Sequence, residues 1–148
     1  TSDAHHLVQP EESGEGAAQA ILFALQDASI NPSDVDYINA HGTSTPLNDM
    51  AEALAMAEVF GTDGPLVTST KGITGHALGA AGAIEAVAVV LAIRKGLVPP
   101  TAGYATADPE MPPINLVTGS PAPWEPGISM SNSFGFGGHN GSLVIAPA

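Results

Sequence analysis

From Ala77 to Ile93 the chain reads ALGAAGAIEAVAVVLAI, and Glu85 is the only charged residue in the run. A helix that is apolar around its whole circumference needs cover on more than one side. Glu85, Gly79 and Gly82 interrupt the stretch too often for a membrane span. It reads instead as a buried helix of a layered domain. Arg94 and Lys95 suit the negative end of its dipole, and Gly96 stops it. Composition agrees: 44% of residues are hydrophobic and 12% charged, so much of the surface is expected to lie under another domain or subunit.

The 148 residues suit one domain with a core of its own. A first helix is expected from Glu11 or Ser13 to about Ser29, with Ile21, Leu22 and Leu25 on one face. INPSD is a turn and VDYINAH a strand. GTSTPLND reads as a polar loop, with Asn48 or Asp49 capping the helix MAEALAMAEVF, which Gly61 ends. PLVTST is a short strand, and the glycine-rich turn KGITGH leads into the helix from Ala77 to Arg94. Residues 97–126 are proline-rich and expected to wrap the surface, with INLVT a candidate strand. ISMSNS and GSLVIA read as strands joined by FGFGGHN. The alternation predicts an α/β fold with an antiparallel pair at its end.

A net charge of −12, from 3 Lys+Arg against 15 Asp+Glu, argues against nucleic acid and against an acidic membrane surface as partners. Cysteine is absent, which excludes a disulfide framework, a thiolate metal site and a cysteine nucleophile within this chain. The opening TSDAHHLVQPEESGEG has neither the basic nor the apolar region of a signal peptide.

Three histidines border small or polar loop residues: His41 in NAHGTSTP, His76 in TGHALGAAGA and His139 in GGHN. A histidine at a strand end can donate to a developing oxyanion or transfer a proton. His76 is expected to open the long helix, whose dipole would favour the neutral ring. Lys71 can position a carboxylate or tune a neighbouring histidine. Each signal also has a plain reading. Strand-end histidines are commonly structural, GAAGA is a close-packing helix surface, and GFGG is a flexible turn. GFGG is no phosphate loop, because it lacks Lys-Ser/Thr and a following helix.

Their joint order changes the odds. INAHGTSTPLND, STKGITGHALGAAGAIEAV and SNSFGFGGHNGSLV, in that sequence, resemble the C-terminal half of the β-ketoacyl-acyl carrier protein synthases, of the elongating type, in the thiolase superfamily. SDAHHLVQP resembles the entry to that half, so the likeness covers essentially the whole chain. It implies one half of a duplicated, five-layer α-β-α-β-α thiolase-like fold. It also implies a decarboxylative condensation of an acyl thioester with malonyl-acyl carrier protein, in fatty acid or polyketide synthesis in the cytoplasm. The nucleophilic cysteine belongs to the other half, at a helix N-terminus that lowers its pKa.

By the same resemblance, His41 and His76 match the paired histidines that assist decarboxylation. Lys71 matches the organising lysine, and Glu85 a glutamate linked to it. Thr43 and Thr45 match threonines that hold the phosphopantetheine arm, which the carrier protein brings; no other cofactor is implied. Phe136 matches a gating phenylalanine, with Phe134 beside it. Some members hold a monovalent cation near Asn39, Glu85, Ser131 and Asn132. The implied partners are the N-terminal half or a Cys-bearing chain, an acyl carrier protein, and a second subunit in a homodimer or heterodimer.

The sequence departs from the family in several places. The missing cysteine means that this chain alone cannot form the acyl-enzyme, so residues 1–148 are expected to be a C-terminal half that is inactive by itself. Val8 stands where many members have threonine, a subtype difference. His139 also replaces a threonine and is given no catalytic role. Beyond Lys71, only Arg94 and Lys95 could meet an acidic carrier protein, so its docking is expected to rest mainly on the other half. The competing readings are a non-catalytic subunit of the chain-length-factor kind and an inactive thiolase-fold fragment.

Overall fold

The computed structural model describes residues 1–148. Helix α1 spans Glu15–Ala28, strand β1 Val35–Asn39, helix α2 Pro46–Phe60 and strand β2 Leu66–Thr68. A single helical turn, α3, spans Lys71–Thr74, and the long helix α4 spans Ala81–Lys95. Strands β3 (Leu97–Val98) and β4 (Ala122–Pro123) form a small ribbon, and β5 (Ile128–Gly135) and β6 (His139–Ile145) complete the main sheet. That sheet has the order β2-β1-β5-β6. β1 runs parallel to both β2 and β5, and β6 is antiparallel to β5.

Side-chain alternation along the strands divides the core into two layers. Ile38 and Met130 face α1 and α2 and pack with Ile21, Leu25, Val35, Met56 and Val67. Tyr37 faces α4 and packs with Val89, Ala92, Val98 and Val117. Each fully buried aliphatic side chain of this kind is worth roughly 1.5–3 kcal/mol. The result is a three-layer α/β/α arrangement with an antiparallel pair at its end, within the α/β class that the alternation of elements predicts. α1 approaches α2 closely at Gly14, where φ is +79° and a Cβ would stand 2.3 Å from the Ala51 carbonyl oxygen.

Several boundaries differ from the sequence reading, each for a local reason. α2 begins at Pro46, preceded by Thr45 in extended conformation, because proline is pre-organised for a first helical position. Asn48 and Asp49 therefore sit inside the helix; Asp49 instead accepts the Ser44 N–H at 3.2 Å. α4 begins at Ala81, after a 3-10 turn over Leu78–Ala80. Of INLVT, only Leu116 bridges the sheet, parallel to Val67. The helix expected to be covered all round buries one face here. Ala81, Glu85, Val89 and Ala92 meet the sheet side, while Ile84, Val87, Val90 and Leu91 are exposed, Val87 at 59%. The chain supplies one sheet for α4 to lie on, and its outer face has no partner within these residues.

Candidate active site

The site lies beyond the carboxyl ends of the parallel strands, where open α/β sheets hold ligands. β1 ends at Asn39, Ala40 continues its pairing through a 2.8 Å N–H bond to the Thr68 carbonyl, and His41 follows. β2 ends at Thr68, and Lys71 follows after Ser69 and Thr70. α4 brings Glu85 inward one turn after its start. The two parallel strands thus deliver a histidine and a lysine side by side, and the helix behind them delivers a carboxylate.

Lys71 joins the cluster. Its Nζ forms a buried ion pair with Glu85 Oε1 and lies 3.3 Å from His41 Nδ1. An ammonium group can only donate, so Nδ1 of His41 is the acceptor and the ring proton sits on Nε2. Burial, then the positive charge of Lys71, then His76 lower the His41 pKa from its ordinary 6.5 to about 3. His41 is therefore a neutral Nε2–H donor at physiological pH. The His76 ring stands edge-on to it at 5.5 Å between centroids. Nδ1 of His76 accepts the Leu78 N–H at 3.2 Å, which assigns its proton to Nε2 as well.

His76 does not open the long helix. Four residues separate it from the first residue of α4, Ala81, and it is exposed in the turn between α3 and α4. The dipole acts within the first helical turn only, so it is the Leu78 N–H that orients this ring. Phe134, 8% exposed, packs edge-on against His41 at 5.9 Å. Phe136 stands apart on the connection between β5 and β6, 71% exposed. Of the two phenylalanines the resemblance singles out, Phe134 is the one in the cluster. His139 lies exposed at the start of β6, away from the paired rings.

Thr43 and Thr45 follow His41 in the loop that leads into α2. Their hydroxyls are 3.0 Å apart, on either side of Ser44, whose φ is +61°. Thr45 precedes α2 without making a side-chain cap bond, and its hydroxyl pairs with that of Thr43 instead.

The four residues implied at a cation site fall into two groups. Asn39 and Ser131 are register partners on β1 and β5, on the face of the sheet that α4 covers. The buried Asn39 Oδ1, Ser131 Oγ and Glu85 Oε2 all lack a hydrogen-bond partner, so this set of oxygens fits a small cation or a water. Asn132 is the next residue along β5 and points to the opposite face, where its Oδ1 accepts the Ser142 hydroxyl at 2.5 Å. Asn39 and Ser131 lie on the side of the sheet that α4 covers, the side to which α4 turns its buried Glu85, and Asn132 points away from it.

Sequence reasoning missed Glu52. This α2 residue is 2% exposed, and its two carboxylate oxygens accept the N–H groups of His41 and Gly42, each at 2.8 Å. Burial pushes its carboxyl up to about 7 against the opposing pull of those two bonds; Asp49 raises it further and Lys71 lowers it. Its place inside the predicted helix disguised it as one more solvated acid. The signal available was its position among the alanines and methionines of the helix's apolar face.

A family model described as "Beta-ketoacyl synthase, C-terminal domain" matches residues 1–105. The chain is 47% identical over 147 residues to a 3-oxoacyl-[acyl-carrier-protein] synthase 2 of Synechocystis sp., covering 98% of this chain and 35% of that protein. It thus spans about a third of the length of the curated relatives it matches. Among solved structures, a β-ketoacyl synthase from Burkholderia phymatum superposes with a TM-score of 0.95 at 36% identity, over 100% of this chain and 36% of that one. A ketosynthase in complex with its chain length factor, from Xenorhabdus doucetiae, gives 0.93 at 43% identity, over 100% and 37%. The fold, the order of the motifs and these matches lead to one conclusion: the chain belongs to the β-ketoacyl synthase C-terminal domain family, with the thiolase-like fold of the ketosynthases.

Proposed function

We propose that this chain is the C-terminal part of a 3-oxoacyl-[acyl-carrier-protein] synthase and supplies the decarboxylating side of its active site. The observation that carries the proposal is the Lys71 bridge, which holds His41 and Glu85 in one buried cluster beside His76. The intact cluster favours a catalytic part over a non-catalytic chain-length-factor-like subunit or an inactive fragment.

In this reading a malonyl thioester, carried on the phosphopantetheine arm of an acyl carrier protein, enters past Thr43 and Thr45. Its carbonyl oxygen faces the Nε2–H groups of His41 and His76. The bond from the α-carbon to the carboxylate breaks and CO2 leaves. The electron pair passes into an enolate whose oxygen accepts from the two rings. Each preorganised donor of this kind is worth about 2.7–4 kcal/mol of barrier. The α-carbon then attacks the acyl group held as a thioester on a cysteine outside this chain. A carbon–carbon bond forms, the carbon–sulfur bond breaks and the thiolate departs. Because His41 is neutral, it gives up no proton to the enolate before attack. Phe134 keeps water from the His41 ring.

The partners in this scheme are the Cys-bearing N-terminal half or chain, an acyl carrier protein, and a second subunit in a homodimer or heterodimer, all in the cytoplasm. No helix of the chain is long and apolar enough to cross a membrane. The scheme draws on no resident cofactor. Acyl and malonyl carrier proteins incubated with residues 1–148 alone should give no condensation product. In the complete synthase, His76→Ala should abolish malonyl decarboxylation and spare acyl transfer to the cysteine. Equal survival of both steps would remove His76 from the mechanism.

A further inference from the structure

We infer that Thr101 is a positioning residue for Lys71, a wedge that ends the ladder on the outer side of β2 and braces the turn into α3, an inference that rests on the function proposed above. Val67 turns both of its main-chain groups away from β1. Its N–H donates to the Asn115 carbonyl and its carbonyl accepts the Val117 N–H, each at 2.9 Å. A parallel ladder that continued would place its next bond between the Ser69 N–H and the Val117 carbonyl. Thr101 stands in that place. Its own N–H donates to the Val117 carbonyl at 2.8 Å, and its Oγ1 accepts the Ser69 N–H at 3.2 Å. The same hydroxyl lies 3.2 Å from Thr68 Oγ1, so it serves both the last residue of β2 and the first beyond it.

The wedge sets where Lys71 goes, because only Thr70 lies between Ser69 and Lys71. Thr70 is tied to the other side, where its Oγ1 accepts from Asn39 Nδ2 at 3.3 Å. The connection is thus held between β1 and Thr101 as Lys71 enters the single turn of α3. The residue after Thr101 adds a steric contact. A Cβ on Gly72 would stand 2.3 Å from the Ala102 carbonyl oxygen, and its three nearest atoms would all belong to Ala102. Gly72 is not in the left-handed region, so this contact, and not the backbone angle, is what excludes a side chain there. β3 leads to Thr101 through Pro99 and Pro100, whose rings fix φ and stiffen the approach. A segment that the sequence presents as surface wrapping therefore reaches the buried lysine through one hydroxyl and one carbonyl.

The test uses the complete synthase with Thr101→Val, Thr101→Ser, Gly72→Ala and His41→Ala. Malonyl decarboxylation and acyl transfer to the cysteine are measured separately, and the His41 imidazole is titrated by NMR. Valine keeps the shape of threonine and leaves the Ser69 N–H without its acceptor. T101V should lower kcat for decarboxylation by about 10-fold, short of the roughly 10²-fold that a misplacement near 1 Å costs. KM and the rate of acyl transfer should stay at wild-type values, a split that general loss of fold would not produce. The imidazole midpoint should rise as the Lys71 ammonium draws away from His41. T101S keeps the hydroxyl and should keep both readouts at wild type. G72A should reproduce the T101V split, and it carries the test if T101V does not fold. Wild-type decarboxylation in folded T101V, or in G72A where T101V is unfolded, would overturn the inference and leave the proposed function standing. An equal loss in T101S and T101V would overturn it too. Wild-type decarboxylation in H41A would overturn the proposed function itself.

Discussion

Lys71→Met asks how much the buried ion pair contributes and what the ammonium does to His41. The Lys71 side chain is 6% exposed and that of Glu85 1%. Methionine keeps most of the volume and removes the charge. Glu85 would then be a buried carboxylate whose Oε1 has lost its partner and whose Oε2 has none already. Removing one member of a buried pair costs about 3–5 kcal/mol, because the surviving charge stays desolvated. At about 2–4 °C per kcal/mol for a chain near this size, the melting temperature should fall by roughly 6–20 °C. Adding Glu85→Gln should recover most of that fall, since the cost lies in the stranded charge rather than in a lost attraction. The ring of His41 should respond too. With Lys71 gone its pKa should rise from about 3, although burial, the larger cause, continues to hold it below 6.5. Heat unfolding by circular dichroism reads the first effect, and an NMR titration of the imidazole reads the second. A shift below about 2 °C, or an equal loss in K71M and K71M/E85Q, would refute the stranded-charge account.

Other outcomes follow from the same structure. In the wild-type chain the His41 ring should stay neutral down to about pH 3, and an NMR midpoint near 6.5 would contradict the assigned environment. Because this pKa is depressed on folding, the unfolded chain binds the extra proton between the two values. The stability contribution of His41 is therefore complete above about pH 6.5 and declines as pH falls toward 3. The outer face of α4 should drive self-association of the isolated chain; Val87→Glu together with Leu91→Glu should shift it toward monomer by light scattering, with helix content retained.

Much of the fold was legible because periodicity and punctuation agree in this chain. VDYIN is apolar enough to read as a buried strand, and the pleat sends its neighbours Tyr37 and Ile38 to opposite layers. The catalytic candidates were legible as a linear motif, since His41 and Lys71 follow strand ends and need no long-range information to be placed there. What was not legible depended on which way side chains leave the backbone. Glu52 looks like any helical acid until the strand end above it is in place. Asn132 adjoins Ser131 in sequence, and the pleat puts them on opposite faces of the sheet. His76 abuts an apolar run, yet Leu78, with φ +50°, and the 3-10 turn at Leu78–Ala80 delay the helix and deny the ring its dipole. The exposed face of α4 was invisible for another reason. A run that is apolar all round states that cover is needed without stating whether this chain supplies it.

The placement of the cluster also bears on how the chain acquires its chemistry. His41 and Lys71 are 30 residues apart in sequence and meet only because β1 and β2 lie side by side; Phe134 arrives on β5, and Glu85 on a helix laid across the back. Parallel strands cannot close through a tight turn, so their pairing joins distant segments and comes late in folding. No local piece of the chain contains a working fraction of the site. A nascent or partly unfolded molecule should therefore lack a reactive lysine–histidine pair altogether, and the arrival of that pair would mark the moment at which the sheet is finished.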